Sequence, residues 1–84
     1  MRFFVDARFT PGADPDPRMD DEKRRVQQLR DEGFIEQLFR RLDGTGAYLV
    51  VTADTPDAVH ERLDTLPFVE IGIMTMQVDE IETL

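Results

Sequence analysis

Asp6, Glu36 and Glu70 are carboxylates in runs of strand-like composition, "RFFVDARF", "FIEQLFRRL" and "FVEIGIMTMQV". A carboxylate held on a strand and shielded from water has its pKa pushed toward neutrality, because desolvation disfavours the charged form. Such a group can take a proton from carbon and return it. Asp6 and Glu36 lead these candidates for a general base. Arg8, Arg40 and Arg41 share the same runs, and the planar guanidinium fork is suited to holding an anionic substrate through paired hydrogen bonds. Strict alternation sets Arg40 on one face with Phe34, Glu36 and Leu38, so it is the preferred anchor. A salt bridge to one of the chain's 18 acids is the ordinary alternative for each arginine. Tyr48, the sole tyrosine, could donate a hydrogen bond to a substrate oxygen or simply pack in a sheet interface.

His60 is the sole histidine. It lies in "TPDAVHERLDTL", one position round from the apolar stripe of Val59, Leu63 and Leu66. That placing predicts a half-exposed side chain near Asp64 at i+4. His60 remains a third candidate for proton transfer, but the geometry favours a surface or subunit contact. With one histidine, no cysteine and no calcium-loop spacing, no metal site is expected. No glycine-rich phosphate loop follows a strand, and "DGTG" lies between two strands, so no cofactor is expected either.

These residues need elements to hold them. "RFFVDARF" (2–9) alternates with period two, which predicts a strand. "TPGADPDP" (10–17) is a loop, the internal segment with least to bury, and a lid if it borders a barrel mouth. A helix is predicted over 19–33, capped by Asp16 with Pro17 or by Asp20 and stopped by Gly33. Its apolar stripe is thin: Met19, Val26 and Leu29. Residues 34–42 read as a strand, "DGTG" (43–46) as a hairpin turn, and "AYLVVTA" (47–53) as a second strand. Thr55 caps a helix over 54–66, with Pro56 behind it. Pro67 forbids its continuation, and 68–81 reads as the last strand.

The order β-α-β-β-α-β, with two right-handed crossovers around a central hairpin, predicts one α+β domain over 1–84: a ferredoxin-like fold with a four-stranded antiparallel sheet. Both helices cover one sheet face. Phe4, Tyr48 and Val50, or their alternates, with Met74 and Met76, are too many to lie beneath them. An apolar face left in water marks an interface. An 84-residue chain without cysteine has a small core and no disulfides to brace it, so a homodimer or higher homo-oligomer joined through the sheet is expected.

The charge balance narrows the partners. Ten Lys plus Arg against 18 Asp plus Glu give a net charge of −8, a surface that repels phosphate backbones and anionic headgroups. Neither nucleic acid nor membrane is an expected partner. No apolar run approaches the roughly 20 residues of a membrane span. The apolar start breaks at Asp6 and has no small-residue cleavage site, so no signal peptide is read. The expected location is the cytoplasm.

The second half, "GAYLVVTADTPDAVHERLDTLPFVEIGIMTMQV", resembles the muconolactone delta-isomerase-like family of the dimeric α/β-barrel superfamily. It shows that family's strand, short acidic link, helix ending in a Leu-Pro step, and strand. The start "MRFFVDARF" and the "DEK" opening of the first helix also fit. The resemblance implies cofactor-independent proton transfer on a lactone, an aromatic-breakdown acid or a related anion. It aligns His60 with a histidine of the family's helix. Phe4 stands where the family's first strand carries a histidine and is a candidate substrate-binding residue; the family's first helix is also longer. The Phe4 replacement favours a rival reading, a non-catalytic oligomeric module that binds a small ligand or builds an assembly. The enzyme reading requires, in the assembled dimer, a closed pocket with an apolar wall, an acid and an arginine.

Overall fold

The computed structural model describes residues 1–84. The chain runs β1 (Arg2–Phe9), α1 (Met19–Asp31), β2 (Ile35–Arg40), β3 (Gly46–Thr52), α2 (Pro56–Leu63), α3 (Pro67–Glu70) and β4 (Met74–Ile81), with one 3-10 turn at Asp16–Arg18 ahead of α1. The sheet is antiparallel throughout, in the order β2-β3-β1-β4. This is the ferredoxin-like α+β fold expected from the element order.

Alternation in β1 decides the two faces. Phe3, Val5 and Ala7 are buried toward the helices, opposite Val51, Leu49 and Ala47 of β3. Leu29 of α1, with Val59, Leu63 and Leu66 from the α2 segment, closes the core over them. The 59/63/66 stripe is therefore the buried one, and His60 is exposed beside it. Arg2, Phe4, Asp6 and Arg8 point to the face that no helix covers, where Phe4 stacks on Tyr48 with ring centroids 5.4 Å apart.

Two boundaries depart from the sequence reading. The last strand is not 68–81. The helix expected over 54–66 ends earlier, at Leu63, ahead of Pro67, whose fixed φ suits the first position of a new helix, and 67–70 form one helical turn. Phe68 is buried there, Gly72 turns the chain at φ +75°, and only then does β4 begin. Met74 and Met76 pack against the core on the helix side and leave the open face to Phe4, Tyr48, Val50 and Phe39.

The second departure is in β2. Ile35 pairs with Val51 and Gln37 with Val50, so Glu36 is the extra residue of a β-bulge. Beyond it the alternation is reset. Leu38 and Arg40 take the helix side, while Gln37 and Phe39 take the open face. Glu36 and Arg40 thus do not share a face, contrary to strict alternation. The bulge lets both Phe34 and Ile35 be buried while Leu38 still meets Leu49.

Helix starts follow the expected chemistry in one case of two. Thr55 Oγ1 accepts the Ala58 N–H at 3.1 Å, with Pro56 in the first turn. Thr55→Ala is expected to destabilise the fold by about 1 kcal/mol, read as a lower urea midpoint at unchanged slope. The first helix has no side-chain cap. Arg18 holds the cap position, Asp16 and Pro17 lie in the 3-10 turn before it, and Asp20 lies inside the helix.

Candidate functional site

The stripe of α1 has a gap that the sequence reading passed over. Met19, Val26 and Leu29 leave one position on that face, three residues after Met19 and four before Val26, and Glu22 fills it. The residue is only 8% exposed. The Phe68 N–H donates to Glu22 Oε1 at 2.9 Å. Oε2 makes no protein hydrogen bond and is not sealed from solvent. Burial pushes the Glu22 pKa up, with smaller opposing pulls from the Phe68 hydrogen bond and the Arg18 charge. A carboxyl inside an apolar stripe was the available signal, because an acid is seldom buried without a partner.

Glu22 borders a cavity of about 800 Å³ between α1, the helix side of the sheet and the α3 turn. The walls are mostly apolar, built by Phe9, Val26, Leu49, Phe68, Met74 and Met76, and the Phe9 and Phe68 rings meet at 5.5 Å. Pro15, from the 10–17 loop, reaches the rim. Lys23 and Arg40 also line the cavity, and neither joins a salt bridge in a chain with eight more acids than bases. An apolar wall, an acid and an arginine therefore meet within one protomer, in a groove open on one side. The sequence reading had looked for them between two sheets.

Of the predicted site residues, only Arg40 lines this cavity. Glu36 is on the open face, where it accepts hydrogen bonds from Thr52 and from Arg2, the latter at 3.0 Å. These contacts hold its pKa below the ordinary range, the Thr52 hydroxyl contributing most. The dry environment expected for Glu36 is thus absent in the protomer, because the bulge turns the side chain to the sheet's uncovered side. Asp6 is paired with Arg8 at 3.1 Å on that same face. Tyr48 lies between Phe4 and Arg41, whose guanidinium sits 5.1 Å from the ring centroid and also donates to the hydroxyl. Arg41 is further engaged with Asp43 and Thr45 of the hairpin turn. Glu70 and His60 are exposed on the α3 turn and on α2. Asp6, Tyr48 and Phe4 thus share the open face with Glu36, and His60 is apart from both groups.

No group of three or more His, Cys, Asp or Glu side chains is placed to hold a metal ion. No helix is long and apolar enough to cross a membrane. What the cavity can do is accept a mostly apolar molecule with an anionic end and expose it to one carboxylate of raised pKa.

Two solved structures share this architecture. A 5-chloro-2-hydroxyhydroquinone dehydrochlorinase from Burkholderia phenoliruptrix AC1100, in complex with 2,5-dihydroxybenzoquinone, superposes with a TM-score of 0.78 at 22% identity, covering 98% of this chain and 94% of its own. At that identity the likeness shows the fold. A muconolactone isomerase solved at 3.3 Å also gives a TM-score of 0.78, at 28% identity, covering 96% of this chain and 88% of its own. No curated protein matches the chain in sequence. The family model described as muconolactone delta-isomerase matches residues 1–83. With that pattern running through β1, the Glu22 helix, the Leu-Pro step and β4, the chain belongs to the muconolactone delta-isomerase family.

Proposed function

We propose that this protein is a catabolic enzyme that shifts a proton on a lactone or a related anionic metabolite without a cofactor, using Glu22 as the general base. The carrying observation is the buried Glu22 carboxyl, with one oxygen held by the Phe68 N–H and the other left to an apolar cavity of about 800 Å³. The ionised carboxylate removes a proton from the γ carbon of an α,β-unsaturated carbonyl. It becomes the carboxylic acid while the electron pair moves onto the carbonyl oxygen. It then returns the proton to the α carbon as the pair collapses, and the double bond has moved. A base of raised pKa suits both halves, since it must accept and release the same proton. Family membership supports the reaction class, and the solved muconolactone isomerase supports muconolactone as the first substrate to try.

Arg40 and Lys23 give the cavity its preference for anions. Arg40→Gln is expected to raise KM for muconolactone about tenfold or more with kcat little changed, because the anchor binds ground and transition states alike. His60→Gln is expected to leave both constants near wild type, since the imidazole lies outside the cavity. A large kcat loss in His60→Gln would move the reaction to α2.

The open sheet face favours a second copy as partner. Phe4, Tyr48 and Phe39 form an apolar patch rimmed by the Asp6–Arg8 and Arg2–Glu36 pairs. Stacking two such faces covers the patch and gives Asp6, Glu36, Tyr48 and Phe4 an assembly role. Light scattering at micromolar concentration is expected to show a dimer or larger oligomer, and a stable 9.7 kDa monomer would rule this pairing out. A protein that assembles but turns over no lactone would instead be the non-catalytic ligand-binding module.

A further inference from the structure

The Leu66-Pro67-Phe68 step brings a backbone amide to the buried carboxyl. Leu66 is extended, with ψ 129°, and Pro67 opens a new helical turn that has no side-chain cap. Proline has no N–H, so Phe68 carries the first free amide of that turn. This amide meets Glu22 Oε1 at 2.9 Å across 46 residues of sequence. The turn itself is firmly seated: Leu66, Pro67 and Phe68 are all buried, and the Phe68 carbonyl accepts the Ile73 N–H at 3.0 Å. The Phe68 ring forms part of the cavity wall against Phe9.

We infer that Phe68 is a positioning residue whose backbone N–H pins Glu22 Oε1 and so aims Oε2 into the cavity. This rests on the reading of Glu22 as the base. A glutamate on a helix has three rotatable bonds, and its carboxylate would otherwise swing between cavity and solvent. One hydrogen bond from a well-seated turn removes that freedom and leaves a single oxygen for the proton. The donor belongs to the backbone, so side-chain substitution at 68 does not delete it. Arg18 of the 3-10 turn is the charge felt at the carboxyl, while Lys23 of α1 and Arg40 of β2 line the same cavity. None of them is hydrogen-bonded to Glu22, so orientation falls to the amide.

Two measurements test this. The first is a pH titration of the ligand-free protein, following the Glu22 side-chain carboxyl carbon and the Phe68 amide by NMR. Both resonances are expected to share one inflection above the ordinary carboxylate range, and the amide inflection is expected to vanish in Glu22→Gln. A Phe68 amide that does not follow the carboxyl overturns the inference, whether or not any lactone is turned over. The second compares Phe68→Ala, which keeps the N–H, with a chemically synthesised chain carrying phenyllactate at 68, which keeps the ring and replaces the N–H by an ester oxygen. With muconolactone as substrate, the ester chain is expected to lose about 10- to 100-fold in kcat with KM nearly unchanged. Phe68→Ala is expected to act mainly on KM. A folded ester chain with wild-type kcat overturns the positioning role. Wild-type turnover in Glu22→Gln would instead bring down the assignment of the base.

Discussion

Glu22→Gln is expected to lower muconolactone turnover by about 10²–10⁴-fold while raising the melting temperature at neutral pH. The loss follows because an amide cannot accept the proton, although its oxygen can still take the Phe68 N–H. The gain in stability follows from linkage. Burial raises the folded-state pKa of Glu22 above its unfolded value, so between the two values the folded chain holds a proton that the unfolded chain has released. Stability therefore falls as pH rises through that window, which starts at the ordinary glutamate value of about 4.3 and ends at the raised one. Above the window the folded protein keeps a poorly solvated carboxylate, a burden that glutamine does not carry. For a domain of this size each kcal/mol moves the melting temperature by about 4–8 °C. Melting curves from pH 4 to pH 8 are expected to diverge, with the variant ahead at the alkaline end. Coincident curves would mean that the carboxyl is not desolvated, and the raised pKa would lose its cause.

Gly46→Ala is expected to be the most damaging small substitution in the sheet. Gly46 opens β3 opposite Arg8, and a Cβ there would lie 1.9 Å from the Ala7 carbonyl oxygen. No side chain can rotate away to relieve a clash with backbone, so β1 and β3 must separate or slip. Ala7 and Gly46 both border the cavity, and the movement would open its floor. The expected loss is about 3 kcal/mol or more, out of roughly 4–12 kcal/mol for an 84-residue domain. That corresponds to a drop of about 12–24 °C in melting temperature. Gly44→Ala, in the same hairpin, is the control. Its φ of +76° strains any other residue, but nothing lies within 4 Å of the added carbon, so about 1–2 kcal/mol is expected. Equal losses in the two variants would remove the close approach as the cause.

The fold was largely legible because its signals are local. Period two in 2–9, the Asp-Gly turn, Thr55 with Pro56, and the 59/63/66 stripe each act within a few residues, and together they allow few topologies. The misread segments are those where tertiary contact decides. "PFVEIGI" has strand composition, yet Phe68 is buried by a helical turn seated on Glu22, a contact 46 residues away in sequence. Strict alternation puts Glu36 on one face with Arg40 because it cannot register a bulge. Arg40, preferred for the face it shares with Phe34, Glu36 and Leu38, lines the cavity with Leu38 but without Glu36. Glu22 was missed because an acid near a helix start has an ordinary explanation in the helix dipole. Its other role, filling the gap between Met19 and Val26, shows only when a stripe is checked for its missing member.

Removing Glu36 from β2 leaves a continuous ladder: Ile35, Leu38 and Arg40 toward the helix side, Gln37 and Phe39 toward the open face, each keeping its present partner on β3. Glu36 is thus supernumerary to the ladder: its deletion keeps both faces in register and costs the hydrogen bonds to Arg2 and Thr52 at the rim of the open face. Insertion between 37 and 40 has the opposite consequence. It would exchange the faces beyond the insertion, turning Arg40 from the cavity to the open face, so that one codon would alter both sides of the sheet together. Divergence in this strand is accordingly expected to tolerate a deletion at 36 and to resist length changes beyond it.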